Sequence, residues 1–112
     1  MQTYATSFED YVDIIATESP HAAIMDWWRR LTLAIGHYFK ELGERRGSAN
    51  EVELRIASDQ KLGPEVAAKL WELRIIRNAV AHEEFGPLSR EEAIRYAEDA
   101  FRLMGVLIRT AV

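Results

Sequence analysis

Cysteine is absent from the 112-residue chain. That absence excludes a disulfide framework, cysteine-ligated zinc, iron–sulfur clusters and thiol catalysis together. An excess of positive charge is absent too. Fourteen Lys and Arg against eighteen Asp and Glu leave a net charge of −4, so no broad field draws the protein onto nucleic acid and any such contact needs a local basic cluster. No apolar run approaches the ~20 residues of a membrane span, and the opening MQTYATSFEDYVDII lacks the basic start and apolar stretch of a secretory signal. The expectation is a soluble, cytoplasmic protein with no membrane partner. His21 and His37 have no spacing that suggests a metal site, and no residue pattern calls for a cofactor.

What remains is ordinary globular material. Hydrophobic residues make up 48% and charged residues 29%, which is too apolar for a disordered chain and sufficient for one core. The length suits a single domain over residues 1–112.

The punctuation is that of an all-α protein. Ser7 with Asp10 imitates a capping box before Phe8, Tyr11, Val12, Ile14 and Ile15, which predicts a short helix ending near Thr17. Ser19 and Pro20 start a second helix, because the proline's missing N–H costs nothing at a first helical position. Its apolar positions, Ile24, Trp27, Trp28, Leu31, Ile35, Tyr38 and Leu42, run to the stop at Gly43 and Gly47. Residues 48–58 fit a third helix, although Val52, Leu54 and Ile56 would also suit a brief strand. Leu62, Gly63 and Pro64 form a turn before an unbroken run from Glu65 to Ala81, and Ser89 with Glu92 caps a last helix. That last helix has an expected stripe of Ile94, Ala97, Phe101, Met104 and Ile108, flanked by Ala93, Ala100 and Leu107. Four to five helices with short connections predict an antiparallel up-and-down bundle.

The run from Glu65 to Ala81 stands out. At 100° per residue, Val66, Leu70, Leu73 and Val80 share one face with Arg77 in its middle, while Trp71, Ile75 and Ala79 lie nearly opposite, on the side of Asn78 and His82. A helix apolar on both sides is either central or placed between its own core and a partner subunit. A guanidinium among aliphatic neighbours must be paired or employed, because burying it unpaired costs several kcal/mol.

The segment LRIIRNAVAHE, Leu73 to Glu83, resembles the signature of the HEPN superfamily, in which an Arg, a polar residue, three variable residues and a His close a bundle helix. Here these are Arg77, Asn78, then Ala79, Val80 and Ala81, then His82. The resemblance covers about ten residues by motif and the last two thirds of the chain by architecture. It implies a small all-α bundle and a metal-independent endoribonuclease acting as a homodimer, with Arg77, Asn78 and His82 as catalytic residues and a toxin–antitoxin setting. Such an enzyme cleaves single-stranded RNA to 2′,3′-cyclic phosphate and 5′-hydroxyl ends. The residues suit that chemistry. RNA carries its own nucleophile, the 2′-OH, so positioning and proton transfer can suffice. An imidazole titrates near neutrality and can move the proton, and a guanidinium can hold the phosphate with two parallel N–H bonds.

Two features stand beside the resemblance. Arg77 and His82 project about 140° apart on an unbroken helix, so either the helix ends near Ala81 or two protomers build one site. Where one toxin subgroup carries a Tyr two residues after the His, modified by a partner antitoxin, this chain has Glu84. A second reading is a non-catalytic regulator that binds a nucleotide or a protein, similar to the bacterial mannitol repressor family. A third is a bundle that Arg77 and His82 merely brace. Arg29, Arg30, Lys40, Arg45 and Arg46 are the remaining candidates for phosphate contacts. Of the adjacent Trp27 and Trp28, one is expected in the core and the other against a neighbour.

Overall fold

A computed structural model describes residues 19–41, 43, 47–83 and 86–111. Among them are four helices and no strand: α1 (Pro20–Glu41), α2 (Ala49–Ser58), α3 (Gly63–Ala81) and α4 (Arg90–Ala111). The helix expected over 8–17 lies outside the described residues. No described helix is long and apolar enough to cross a membrane.

Each start follows from local chemistry. The Ser19 hydroxyl accepts the Ala22 N–H at 3.1 Å ahead of α1, and the Ser48 hydroxyl accepts the Glu51 N–H at 3.3 Å ahead of α2, which is a helix and not a strand. Ser89 and Glu92 form a full reciprocal box before α4, each side chain accepting the other's backbone N–H at 3.1 Å. α3 begins two residues before the predicted Glu65, at Gly63, whose φ of +81° favours glycine, with Pro64 following it.

The three long helices alternate in direction. His21 at the start of α1 meets Val80 at the end of α3, and Lys69 and Leu73 of α3 meet Asp99 and Tyr96 of α4. α3 therefore runs against both α1 and α4. α2 leads into α3 through the turn at 59–62 and packs along it, while α1 packs most extensively on α4. The core holds Ile24, Trp27, Leu31, Ile35 and Tyr38 of α1, Leu70, Leu73 and Val80 of α3, and a run of small residues, Ala93, Ala97 and Ala100, on α4. Those alanines let α1 approach closely, which turns α4 relative to the predicted stripe. Its buried arc is Ala93, Tyr96, Ala97, Ala100, Leu103 and Leu107, whereas Phe101 is 49% and Ile108 is 55% exposed. Phe101 still meets the Trp27 ring edge-on at 6.2 Å.

One carboxylate fixes the corner from which α3 departs. Asp59 accepts the Lys61 and Leu62 N–H groups at 2.7 and 3.1 Å on one oxygen and the Tyr38 hydroxyl at 2.9 Å on the other. Burial opposes ionisation, but these bonds outweigh it and hold the Asp59 carboxyl below its ordinary range. A native pKa below the unfolded value of about 3.9 adds stability that is present above that value and is lost as pH falls through the lowered native value. Asp59→Asn is therefore expected to lower the thermal midpoint at pH 7 and to flatten its decline between pH 5 and 2. Parallel acid profiles for the two proteins would remove Asp59 from this role.

Candidate functional site

Three helices converge on a cleft of about 320 Å³. α1 contributes Trp28, Thr32 and Ile35, spaced by four and three residues along one face, and α2 contributes Val52 and Glu53. From α3 come Leu70, Arg74, Arg77 and Asn78, again at helical spacing. The walls are thus half apolar, and among the described residues three charged side chains, Glu53, Arg74 and Arg77, line them.

The charges do not pair evenly. Arg74 Nε donates to Glu53 Oε1 at 2.7 Å and its Nη2 to Oε2 at 3.1 Å, a bidentate pair with side chains only 21% and 14% exposed. Glu53 holds Arg74 above its ordinary range, offsetting burial. Both carboxylate oxygens are thereby engaged. Arg77, one turn further along, meets no carboxylate among the described residues. Its Nη1 donates to Asn78 Oδ1 at 3.0 Å, and its buried Nε has no acceptor. The Asn78 Nδ2 donors have no protein acceptor among the described residues. Tyr96 on α4 lies within reach of this charge: burial pushes its phenol well up, and the Arg77 cation opposes that shift. The Tyr96 hydroxyl donates to the Leu73 carbonyl at 3.0 Å.

His82 lies elsewhere. α3 ends at Ala81, His82 caps it with its backbone N–H on the Asn78 carbonyl at 3.0 Å, and Glu83 turns the chain at φ +55°. The His82 side chain is exposed and is not among the cleft's lining residues. Within one chain, Arg77 and Asn78 are brought together and His82 is not brought to them. The helical wheel set Asn78 on the side of Trp71. In three dimensions it borders the same cleft as Arg77, because residues 100° apart can flank one opening.

Some functional geometry was not visible in the sequence. Trp28 and Thr32 belong to the cleft, and only the register of α1 against α3 places them there. Trp27 takes the core position and Trp28 the half-buried one. His21 Nε2 lies 3.1 Å from the Val80 carbonyl, so the α1 imidazole caps the end of the motif helix. Arg29 and Arg30 both bond to Asp26, at 3.1 and 2.8 Å, which lowers their worth as phosphate contacts. Burial opposes ionisation of Asp26, but its bonds to Arg30 and Arg29 hold the carboxyl below its ordinary range. Lys40 is exposed, and Arg45 and Arg46 lie outside the described residues. Trp71 and Ile75 are exposed on the far side of α3.

The uneven pairing predicts opposite responses from neighbouring arginines. Arg77→Met removes a buried donor that has no acceptor, so the thermal midpoint should hold or rise. Arg74→Met strands the Glu53 carboxylate and should cost about 2 kcal/mol, read as a clear fall in the midpoint. A larger fall for Arg77→Met than for Arg74→Met would make Arg77 a structural brace. His21→Ala should cost about 1 kcal/mol, or a few degrees, through the lost cap.

Comparison with protein-family models, curated proteins and solved structures returns no match to this chain.

Proposed function

We propose that this chain is a metal-independent endoribonuclease of the HEPN toxin type. Arg77 and Asn78 hold the scissile phosphodiester of single-stranded RNA, and His82 transfers a proton. The observation that carries this reading is that, among the described residues, Arg77 meets no carboxylate beside a cleft in which the neighbouring cation, Arg74, is paired with both carboxylate oxygens of Glu53. A guanidinium with a donor to spare at a cavity is suited to an anion.

The reaction needs little from the protein. The 2′-OH attacks the adjacent phosphorus, its proton passes to a base, and the 5′-oxygen leaves with a proton, giving the cyclic phosphate and the 5′-hydroxyl. Arg77 offsets the negative charge that gathers on the phosphoryl oxygens, and Asn78 adds an amide donor. His82 is exposed beyond the cleft, so in this reading it acts on a phosphate held by the partner copy of a homodimer. The exposed Trp71 and Ile75 on the same helix support a second copy at that face. A cognate antitoxin is the further partner this reading carries.

The position of His82 also favours a second reading, a non-catalytic module similar to the mannitol repressor family, whose cleft binds a nucleotide while the exposed face meets a regulatory protein. Cleavage separates the two. The purified protein should cut single-stranded RNA in EDTA to 2′,3′-cyclic phosphate ends, and His82→Ala should abolish cutting with an unchanged thermal midpoint. Intact RNA after prolonged incubation, with retained nucleotide binding, would leave the regulator. Equal cleavage by His82→Ala would reject the nuclease mechanism outright.

A further inference from the structure

We infer that Glu53 sets the charge of the ligand that the cleft accepts, selecting a singly charged phosphodiester over a doubly charged terminal phosphate. This rests on the reading of the cleft as a phosphate site and deepens it, because that reading gives Glu53 no part in choosing the ligand.

Selection follows from the balance of charge in a confined space. Among the described residues, Glu53, Arg74 and Arg77 are the charged ones that line the cleft. Glu53 and Arg74 cancel through two hydrogen bonds at 2.7 and 3.1 Å, which leaves, among these described residues, the single positive charge of Arg77. An internal phosphodiester carries one negative charge and matches it. A phosphate monoester carries nearly two near neutral pH, and among the described lining residues its second charge has only Arg74 to turn to. Taking Arg74 would break the bidentate pair and leave the Glu53 carboxylate, 14% exposed, beside a second anion, so attraction on one side is answered by repulsion on the other. Glu53 therefore serves as the discriminating residue, and it acts through its hold on Arg74.

The remaining walls fit the same ligand. Trp28, Ile35, Val52 and Leu70 line the apolar part, and about 320 Å³ is at the small end of ligand sites. That space suits one nucleotide unit, with its base toward Trp28 and its phosphate toward Arg77 and Asn78.

The test compares adenosine 5′-monophosphate with its methyl phosphodiester, which differ by one charge and present no cleavable bond to a 2′-OH nucleophile. Binding to the full chain is read by tryptophan fluorescence, with Trp28→Phe assigning the signal. Wild type should bind the methyl ester more tightly. Glu53→Gln frees Arg74 and should raise affinity for the monophosphate about tenfold, as expected for one recovered charged hydrogen bond, while the methyl ester changes little. The double variant Glu53→Gln with Arg74→Gln returns the count to one and should restore the wild-type preference. If Arg77→Met weakens both ligands but wild type prefers the monophosphate, or Glu53→Gln leaves the preference unmoved, the charge selection is overturned and the phosphate site stands. If neither ligand binds wild type, or Arg77→Met changes neither affinity, the phosphate reading fails and the selection with it. The wild-type comparison needs no variant, so it holds even should Glu53→Gln fold poorly.

Discussion

Glu53 has two carboxylate oxygens, and Arg74 takes both. Most of what distinguishes this bundle from a generic one depends on that allocation. Two guanidiniums sit one turn apart on α3, and the acid that faces them from α2 can satisfy one of them with good geometry. The planar fork of Arg74 matches the carboxylate bidentately, so the pair closes on itself and Arg77 is left with an amide for company. A bundle selected for stability alone would place an aliphatic side chain at position 77, among Leu70, Leu73 and Val80. The Arg77 Nε, buried without an acceptor, is the local cost of keeping a cation there. Local costs of this kind are common at binding sites, where stability and function pull apart.

α3 carries the conflict because it has three jobs on one cylinder. Ala67, Leu70, Leu73 and Val80 anchor it in the core. Arg74, Arg77 and Asn78 border the cleft. Trp71 and Ile75 face outward. A helix divided among three surroundings cannot show a single strong apolar stripe, and α1 and α4 do so more clearly. Its ends are held by side chains from elsewhere. Asp59 fixes the turn before it through Tyr38, and His21 caps the Val80 carbonyl at the other end. Both anchors come from α1 or lean on it, so the first described helix sets the position of the cleft as well as part of its lining.

How much of this is legible in the sequence follows from how far apart the interacting residues lie. Caps act over three residues, so Ser19 and Ser89 mark two helix starts plainly, and the all-α class is legible, whereas residues 48–58 left a strand open and α3 starts two residues before the predicted Glu65. The rotation of α4 does not. Ala93, Ala97 and Ala100 compete with Ile94, Phe101 and Ile108 for the inward position. Larger side chains bury more area, yet the small ones win because close approach by α1 gains more contact than bulk does. The site is split in the same way. Arg77 and Asn78 are adjacent, and their partnership can be anticipated. The Glu53–Arg74 pair spans 21 residues, and the His21 cap spans 59. Neither leaves a periodic trace, so only the fold exposes them. Trp28 belongs with these, since nothing in the order Trp27, Trp28 says which ring turns inward.

The distance between Arg77 and His82 along the helix bears on how such a site could work at all. Five residues on a regular helix put the two side chains well apart in azimuth, and ending α3 at Ala81 does not bring the imidazole back to the cleft. On the proposed reading, a phosphate held by Arg77 would therefore meet the His82 imidazole from a second copy. On the proposed nuclease reading, that geometry would make activity depend on association. A lone chain would bind without cutting, and a pair aligned through the outer face of α3 would bring each imidazole to the other's anion. Dilution would then separate binding from cleavage in a protein whose cleft is already formed. Were the proposed RNA cleavage to operate through such a pair, dependence on a second copy would hold activity low until the chain accumulates.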